Sequence, residues 1–244
     1  MSVSISKITC LICLFCIGLA ASSFAQSDTV VVRPKREKQP IWPLLVPSGI
    51  RAGAEIGRFA KTAFSDEYEA IELKGDLQLG NIFFLTLDLG SVTQDRSNPE
   101  NTFQYRSSGT FQRIGFDYNA LWKKTDTDAV TFGLRFARAT FDQTLTYQQD
   151  DGFWGGGTRN LTVEGLQASW VELVSGIRVS IFKNLYISPE LHMMFLVADP
   201  QSPASMTVGE IPAYGKAESN TRVAINYAMY YRLGVPNKKR QKKE

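Results

Sequence analysis

His192 is the only histidine in the 244-residue chain, and by type it is the side chain best suited to proton transfer near neutral pH. Glu190 stands two positions before it and Ser188 four before it. If the run from Leu185 to Phe195 is an extended strand, side chains two apart share a face. Serine, carboxylate and imidazole would then project together, which is the donor set for nucleophile, base and orienting acid in acyl transfer. A histidine on the inner face of a closed sheet has a simpler meaning, a buried imidazole satisfied by an acid. The mid-strand position favours that meaning. His192, Glu190 and Ser188 are catalytic candidates only if a nucleophile or activated water lies within hydrogen-bond reach of a base.

Other chemistry finds little to work with. Cys10, Cys13 and Cys16 are the only cysteines and all lie in the apolar start of the chain. One histidine and no later cysteine give no credible metal cluster, and no motif asks for a cofactor. The glycine-rich run at 152–157, Gly-Phe-Trp-Gly-Gly-Gly, lacks the lysine and helix of a phosphate loop. It reads as a hairpin tip carrying Phe153 and Trp154, two aromatic residues placed for contact with a partner.

The ends of the chain assign it to an export route. Residues 1–25 read as a signal peptide: Lys7 is the basic start, Ile8 to Ala21 the apolar core, and Ser23-Phe24-Ala25 the small-residue cleavage site. The three cysteines lack the small residues that precede a lipidated cysteine. Residues 26–40 form a basic leader of net charge +2 and residues 238–244 a basic tail of net charge +4. Lys238, Lys239 and Arg240 could meet anionic lipid headgroups or an acidic partner. The body between the two ends is net acidic, the opposite of what a nucleic-acid reader needs.

The elements that must position these residues are strands. Eight segments alternate apolar and polar residues, at about 49–60, 68–79, 81–94, 109–122, 128–148, 160–182, 184–198 and 221–234. No stretch shows a convincing helical period. Gly80-Asn81 and Lys183-Asn184 are tight turns, and 123–128 is a short polar one. The links at 95–108, 149–159 and 199–220 are long and polar, and 61–67 is intermediate. Short turns and long loops therefore alternate, with both termini at the short-turn end. That is the layout of an eight-stranded antiparallel up-and-down transmembrane β-barrel spanning 41–237, and no apolar run is long enough to cross as a helix. A ten-stranded barrel and a soluble lipocalin-like barrel are the alternatives.

The polar face collects Arg51, Lys74, Arg113, Arg135, Arg178, Arg222 and Arg232 against Glu55, Glu72, Asp76, Asp88, Asp117, Glu172 and Glu190. Seven of each sign suits mutual pairing inside a narrow lumen, where an unpaired charge is costly. Gly53, Gly115, Gly133 and Gly176 share that face and make room for long side chains. The opposite face, exemplified by Phe83, Leu85, Leu87 and Leu89, would meet lipid. Segments five and six exceed the length needed for a membrane strand, so the 141–167 region is expected to protrude as a ribbon whose edges a protein could pair with.

The stretches GIRAGAEIGRFA (49–60), GTFQRIGFDYNALW (109–122) and KNLYISPELHMMF (183–195) resemble the strands of small Bacteroidota outer-membrane β-barrel proteins, in particular a family known only as a domain of unknown function. The resemblance covers most of the exported chain. It implies an eight-stranded barrel of the OmpA or OmpX kind in the outer membrane. Asp28-Thr29-Val30 also resembles the short O-glycosylation motif of that phylum. The chain departs from the pattern at its end, where Pro236-Asn237 and the basic tail follow the last strand. The terminal insertion signal would then be internal, around Tyr227, Tyr230 or Tyr231. The expected role is that of a structural or accessory envelope component with a protein partner. The alternatives are an enzyme using His192 and Glu190, and a narrow channel.

Overall fold

The structure, a computed structural model, describes residues 47–98, 102–123, 128–149, 156–202 and 206–233. The expected signal peptide, leader and tail, and Phe153, Trp154, Lys238, Lys239 and Arg240, lie outside the described residues.

Strands β1 (Pro47–Glu55), β2 (Tyr68–Leu79), β3 (Phe83–Ser97), β4 (Phe103–Asn119), β5 (Ala129–Gln149), β6 (Gly157–Phe182) and β7 (Leu185–Ala198) follow one another along the chain. A short hairpin, β8 (Glu210–Ile211) and β9 (Gly215–Lys216), precedes the last strand, β10 (Thr221–Leu233). A closed antiparallel barrel forms in the order β1-β10-β7-β6-β5-β4-β3-β2. It has eight strands and not ten, because β8 and β9 pair only with each other. Tight turns occur where expected: between β2 and β3, Gly80 and Asn81 both adopt positive φ in a turn closed by the Ile82 N–H donating to the Leu79 carbonyl at 3.1 Å, the φ signs of a type I′ turn.

Period two decides which side chains enter the barrel. On β2, Glu72, Lys74, Asp76 and Gln78 are buried while Ile71 and Leu73 are exposed. On β5, Thr131, Arg135, Ala137 and Ala139 are buried while Phe132, Leu134 and Phe136 face out. Oil is thus on the wall's exterior and charge inside, the reverse of a lipocalin. The exterior apolar band ends at a polar row: Gln112, Arg138 and Ser169 are successive neighbours across β4, β5 and β6, and Arg138 donates to Gln167. On β10 the band runs from Val223 to Leu233. Ten steps of about 3.3 Å, tilted by about 40°, give a height of about 25 Å.

The structure overturns one strand boundary. The expected strand over 49–60 ends at Glu55, and residues Ile56–Phe64 form a helix, α1. Glu55 makes the change. Its carboxylate accepts from the Arg58 N–H as the helix N-cap and from the Tyr227 N–H of β10 at 2.7 Å, so one side chain satisfies donors that both the helix start and the strand edge leave open. Ala60, Lys61 and Ala63 suit a helix. Arg58 and Thr62, four apart, lie on one face, and the Thr62 hydroxyl accepts from the Ala70 N–H of β2 at 2.9 Å. Phe59 and Phe64 point away, Phe64 at 91% exposure. The helix therefore takes the place of β1 in the wall: pairing of β1 stops at Glu55 opposite Ala228, while β10 continues to Thr221. Segment four also differs, running from Phe103 to Asn119, with Ala120 to Trp122 in the turn.

The 199–220 link is not a solvated loop. Its described part folds into the long-loop end of the barrel, with Met206, Val208, Ile211, Ala213 and Tyr214 buried. Of these, Val208, Ile211, Ala213 and Tyr214 pack with Tyr68, Val92, Phe111, Phe141, Leu166 and Trp170 from the inner wall. An apolar core inside the barrel was not expected from alternation, because these wall residues occupy polar-face positions only above the charged zone.

Candidate functional site

The charged zone fills the half of the lumen nearer the short turns, and its members touch across the barrel. Arg51 Nε lies 2.8 Å from Asp76 Oδ1, and Arg178 Nη1 lies 3.1 Å from Asp76 Oδ2. Arg113 reaches Glu72 at 2.7 Å and Glu172 at 2.9 Å. Arg135 reaches Asp88 at 3.0 Å, Asp117 at 3.1 Å and Glu190 at 3.5 Å. Lys74 Nζ donates to Glu190 at 2.8 Å. All of these side chains are buried. The guanidinium groups of Arg51 and Arg178 also stack over the Phe84 ring, at 4.3 and 4.9 Å, so the aromatic face meets charge where a carboxylate does not.

Small residues make this packing possible. A Cβ at Gly115 would fall 2.6 Å from the Arg135 side chain, and one at Gly133 would fall 1.9 Å from Asp117 Oδ1. Both glycines leave space that the Arg135–Asp117 pair occupies.

Three expected members stand apart from the network. Glu55 caps α1 and holds the β10 edge. Arg222 lies at the long-loop end and donates to the Lys216 carbonyl from Nε and Nη2, at 3.1 and 2.8 Å. Arg232 lies at the other end and donates to the Ser48 carbonyl at 3.2 Å. All three have the face that alternation assigns, but the height of Arg222 and Arg232 along the barrel separates them from the paired charges.

Arg58 is a member that alternation could not supply. A strand over 49–60 points position 58 outward. The helix turns it inward, where its Nε lies 2.9 Å from Glu72 and its Nη1 donates to the Tyr68 hydroxyl at 3.2 Å. Its Nη2 reaches the Ala213 carbonyl at 3.4 Å. One side chain thus joins wall, charged zone and inserted loop.

His192 sits inside the charged zone and is 1% exposed. Its Nδ1 is 2.8 Å from Glu172 and its Nε2 is 3.2 Å from Glu190. The imidazole thus bridges two acids, Glu172 of β6 and Glu190 of its own strand. The Ser188 hydroxyl donates to Glu190 at 3.3 Å, and no hydrogen bond joins it to His192 among the described residues. Serine, histidine and glutamate are brought together, but the serine–base contact that nucleophilic catalysis requires is absent from this set, and Ser188 is fully buried.

The long-loop half is built differently. The Glu210 N–H donates to the Tyr105 hydroxyl at 3.0 Å, the Ser107 hydroxyl donates to the Glu210 carbonyl at 3.1 Å, and the Glu210 carboxylate pairs with Arg96. Trp170 packs edge-on against Tyr214, with centroids 5.6 Å apart, and its Nε1 donates to Glu172 at 2.6 Å. Burial pushes the Glu210 carboxyl up, against the pull of Arg96, Lys61 and Lys216. The sequence signal for this insertion was present in Met206, Val208, Ile211 and Tyr214, apolar residues gathered in a stretch otherwise rich in Pro, Gly and Ser.

Fold and interior define a class: an all-β protein whose eight antiparallel strands close around a filled lumen, ion-paired at one end and loop-filled at the other. The chain belongs to the family described as a domain of unknown function, DUF6048, which matches residues 1–239. Among proteins with curated descriptions, none matches. Two solved structures similar to it are those of CarO and CarO2 from Acinetobacter baumannii. The first is 12% identical with a TM-score of 0.40, and the second 11% identical with a TM-score of 0.38. Each alignment covers 78% of this chain and 99% of the other.

Proposed function

We propose that this protein is an exported outer-membrane barrel, sealed by its own side chains, that serves as a structural or accessory envelope component by holding a protein partner. The observation that carries the membrane reading is the inversion of the wall, with an apolar exterior about 25 Å tall around a lumen of paired charges. Short turns and both ends of the barrel would face the periplasm, and α1 and the long β5–β6 ribbon the exterior. The seal argues against conduction: Arg178 and Lys74 cross the lumen to Asp76 and Glu190, and Arg113 and Arg135 reach acids two strands away. The burial of His192 and Ser188 argues against catalysis.

The partner surface favoured by geometry is the outer edge of β6. Pairing between β6 and β7 begins at Ser169 opposite Ala198, while β6 pairs with β5 out to Gly157. β5 is in turn paired with β4 as far as Tyr147 opposite Phe103. The 141–167 region is thus the outer part of a wider sheet, and its β6 edge, 157–168, offers backbone donors and acceptors for strand addition.

Two experiments test this. Heat-modifiable migration on a gel and retention in membranes after carbonate extraction are expected, and a chain that purifies without detergent sinks the membrane reading. For the edge, a photo-cross-linker at Arg159 should give a discrete adduct with another envelope protein in intact cells. Either Thr162→Pro or Val163→Pro, whichever removes the outward N–H, should abolish it. Absence of any adduct overturns the partner reading.

A further inference from the structure

Between the inserted loop, α1 and β10 lies a cavity of about 300 Å³. It is large enough for about ten waters at their liquid volume and stands at the small end of the range for small-molecule sites. Its apolar lining comes from Val92, Met194, Ile211 and Ala224, with the rings of Tyr68 and Tyr214. Its charged lining is Arg58, Lys61, Arg96, Arg222 and Glu210.

The charges divide into those already answered and those not. Arg58 is answered by Glu72, and Arg96 by Glu210. Lys61 and Arg222 make no ion pair among the described residues. The Lys61 ammonium lies 3.8 Å from the centre of the Tyr68 ring, and Arg222 bonds only a neutral carbonyl, through Nε and Nη2. The one acid lining the cavity is occupied. Lys61 acts on Glu210 only at longer range than the Arg96 pair, so four cations against one acid line the space and it focuses a positive potential.

The cavity also lies where the wall changes character. Along the side of β10 that faces α1, strand pairing ends at Ala228, and Arg222, Val223 and Ala224 line the cavity beyond that point. The space is therefore bounded by a helix and a strand edge that are not laddered to each other.

We propose that this cavity binds a small organic monoanion with a short apolar body, such as a medium-chain carboxylate or sulfonate. Lys61 and Arg222 hold the anionic head, and Val92, Met194 and Ile211 receive the chain. Charge-assisted bonds set the preference for an anion, and the apolar lining sets the preference over inorganic ions. The proposal uses no feature of the β6 edge and stands apart from the partner reading.

The test uses the full exported chain in lipid nanodiscs, titrated with hexanoate and followed by saturation-transfer NMR, with hexanol and inorganic phosphate as comparisons. Saturable hexanoate binding is expected, with hexanol and phosphate each weaker by about tenfold or more. Lys61→Gln and Arg222→Gln should each weaken hexanoate by about tenfold, and Arg222→Lys should restore part of the loss. Ala224→Phe keeps every charge, fills the space and should abolish binding. The proposal is overturned if hexanoate does not saturate, if hexanol or phosphate binds equally well, or if hexanoate binding survives both Ala224→Phe and the double glutamine variant.

Discussion

The two halves of the lumen solve the same problem by opposite means. Toward the short turns, space is filled by wall side chains alone, and every long side chain that crosses it ends on a charge of the other sign. Toward the long loops, the wall turns apolar at Phe111, Ala137, Ala139, Phe141, Ala168 and Trp170, and a returning segment of chain fills the gap. The charged half is assembled from seven different strands, β1 to β7, so it exists only when the ring is closed. The loop half needs only one segment to dock, so it can change without opening the barrel. The difference separates a seal made by ring closure from a plug docked onto it, and Arg58, Phe111 and Trp170 touch both.

Breaking the charged half should have the largest effect. Arg135→Met removes the group that answers Asp88, Asp117 and Glu190 together. Breaking a buried pair on one side costs about 3–5 kcal/mol, and urea unfolding in lipid should show a loss of that size. Stability equal to that of the unsubstituted chain would mean that water or rearrangement replaces Arg135, and the half would not be a dry seal.

The loop half should respond next. Ile211→Ala removes the buried tip of the β8–β9 hairpin, at about 2–4 kcal/mol for a core truncation of this kind. Because the ring does not depend on the loop, the loss should appear as faster proteolysis within 199–220. Heat-modifiable migration should be unchanged, and planar-bilayer recordings should show no steady conductance. Steady conductance would show that the loop, and not the charge network, seals the barrel. A smaller perturbation of the charged half is Gly133→Ala. Its methyl would displace the Asp117 carboxylate from Arg135, costing about 1–3 kcal/mol as an overpacking change in the same unfolding measurement.

Legibility followed the same division. Each barrel strand reports its two faces independently, so the wall residues of the charged half could be assigned from period two before any pairing was known. Period two gives a face and not a height, which is why Arg222 and Arg232 were grouped with charges that they do not reach. It also fails where the backbone leaves the strand. Beyond Glu55 the period becomes 3.6 over nine residues, too short a run, between two strands, to stand out as a helix. Arg58 was lost with that phase. The inserted loop was missed for another reason: its apolar residues bury against wall positions on the lumen face, which was read as polar throughout. Ser188, Glu190 and His192 share one face, but only Glu172 of the adjacent strand β6 shows what the imidazole does there.

The finest test of the contrast is pH acting on Glu210, which lies on the loop and not in the ring. Burial raises its proton affinity in the folded loop, while Arg96, Lys61 and Lys216 oppose that rise, and Tyr105 and Ser107 bond its backbone. An exposed glutamate titrates near about 4.3. A carboxyl held above that value favours the docked loop most when protonated. Docking should therefore be tightest below that value and weaken as pH rises past it, until Glu210 is ionised in both docked and free loops. Hydrogen exchange of the 206–216 amides, corrected for the intrinsic pH dependence of exchange, should show greater protection at the acid end. Glu210→Gln should flatten the dependence, while the charged half, followed by unfolding of the same variant, keeps its own response. If protection instead increases with pH in the native chain and Glu210→Gln abolishes that increase, the Arg96 pair dominates burial, and the loop is held by charge in the same way as the seal beneath it; a dependence that Glu210→Gln leaves unchanged overturns the assignment to Glu210.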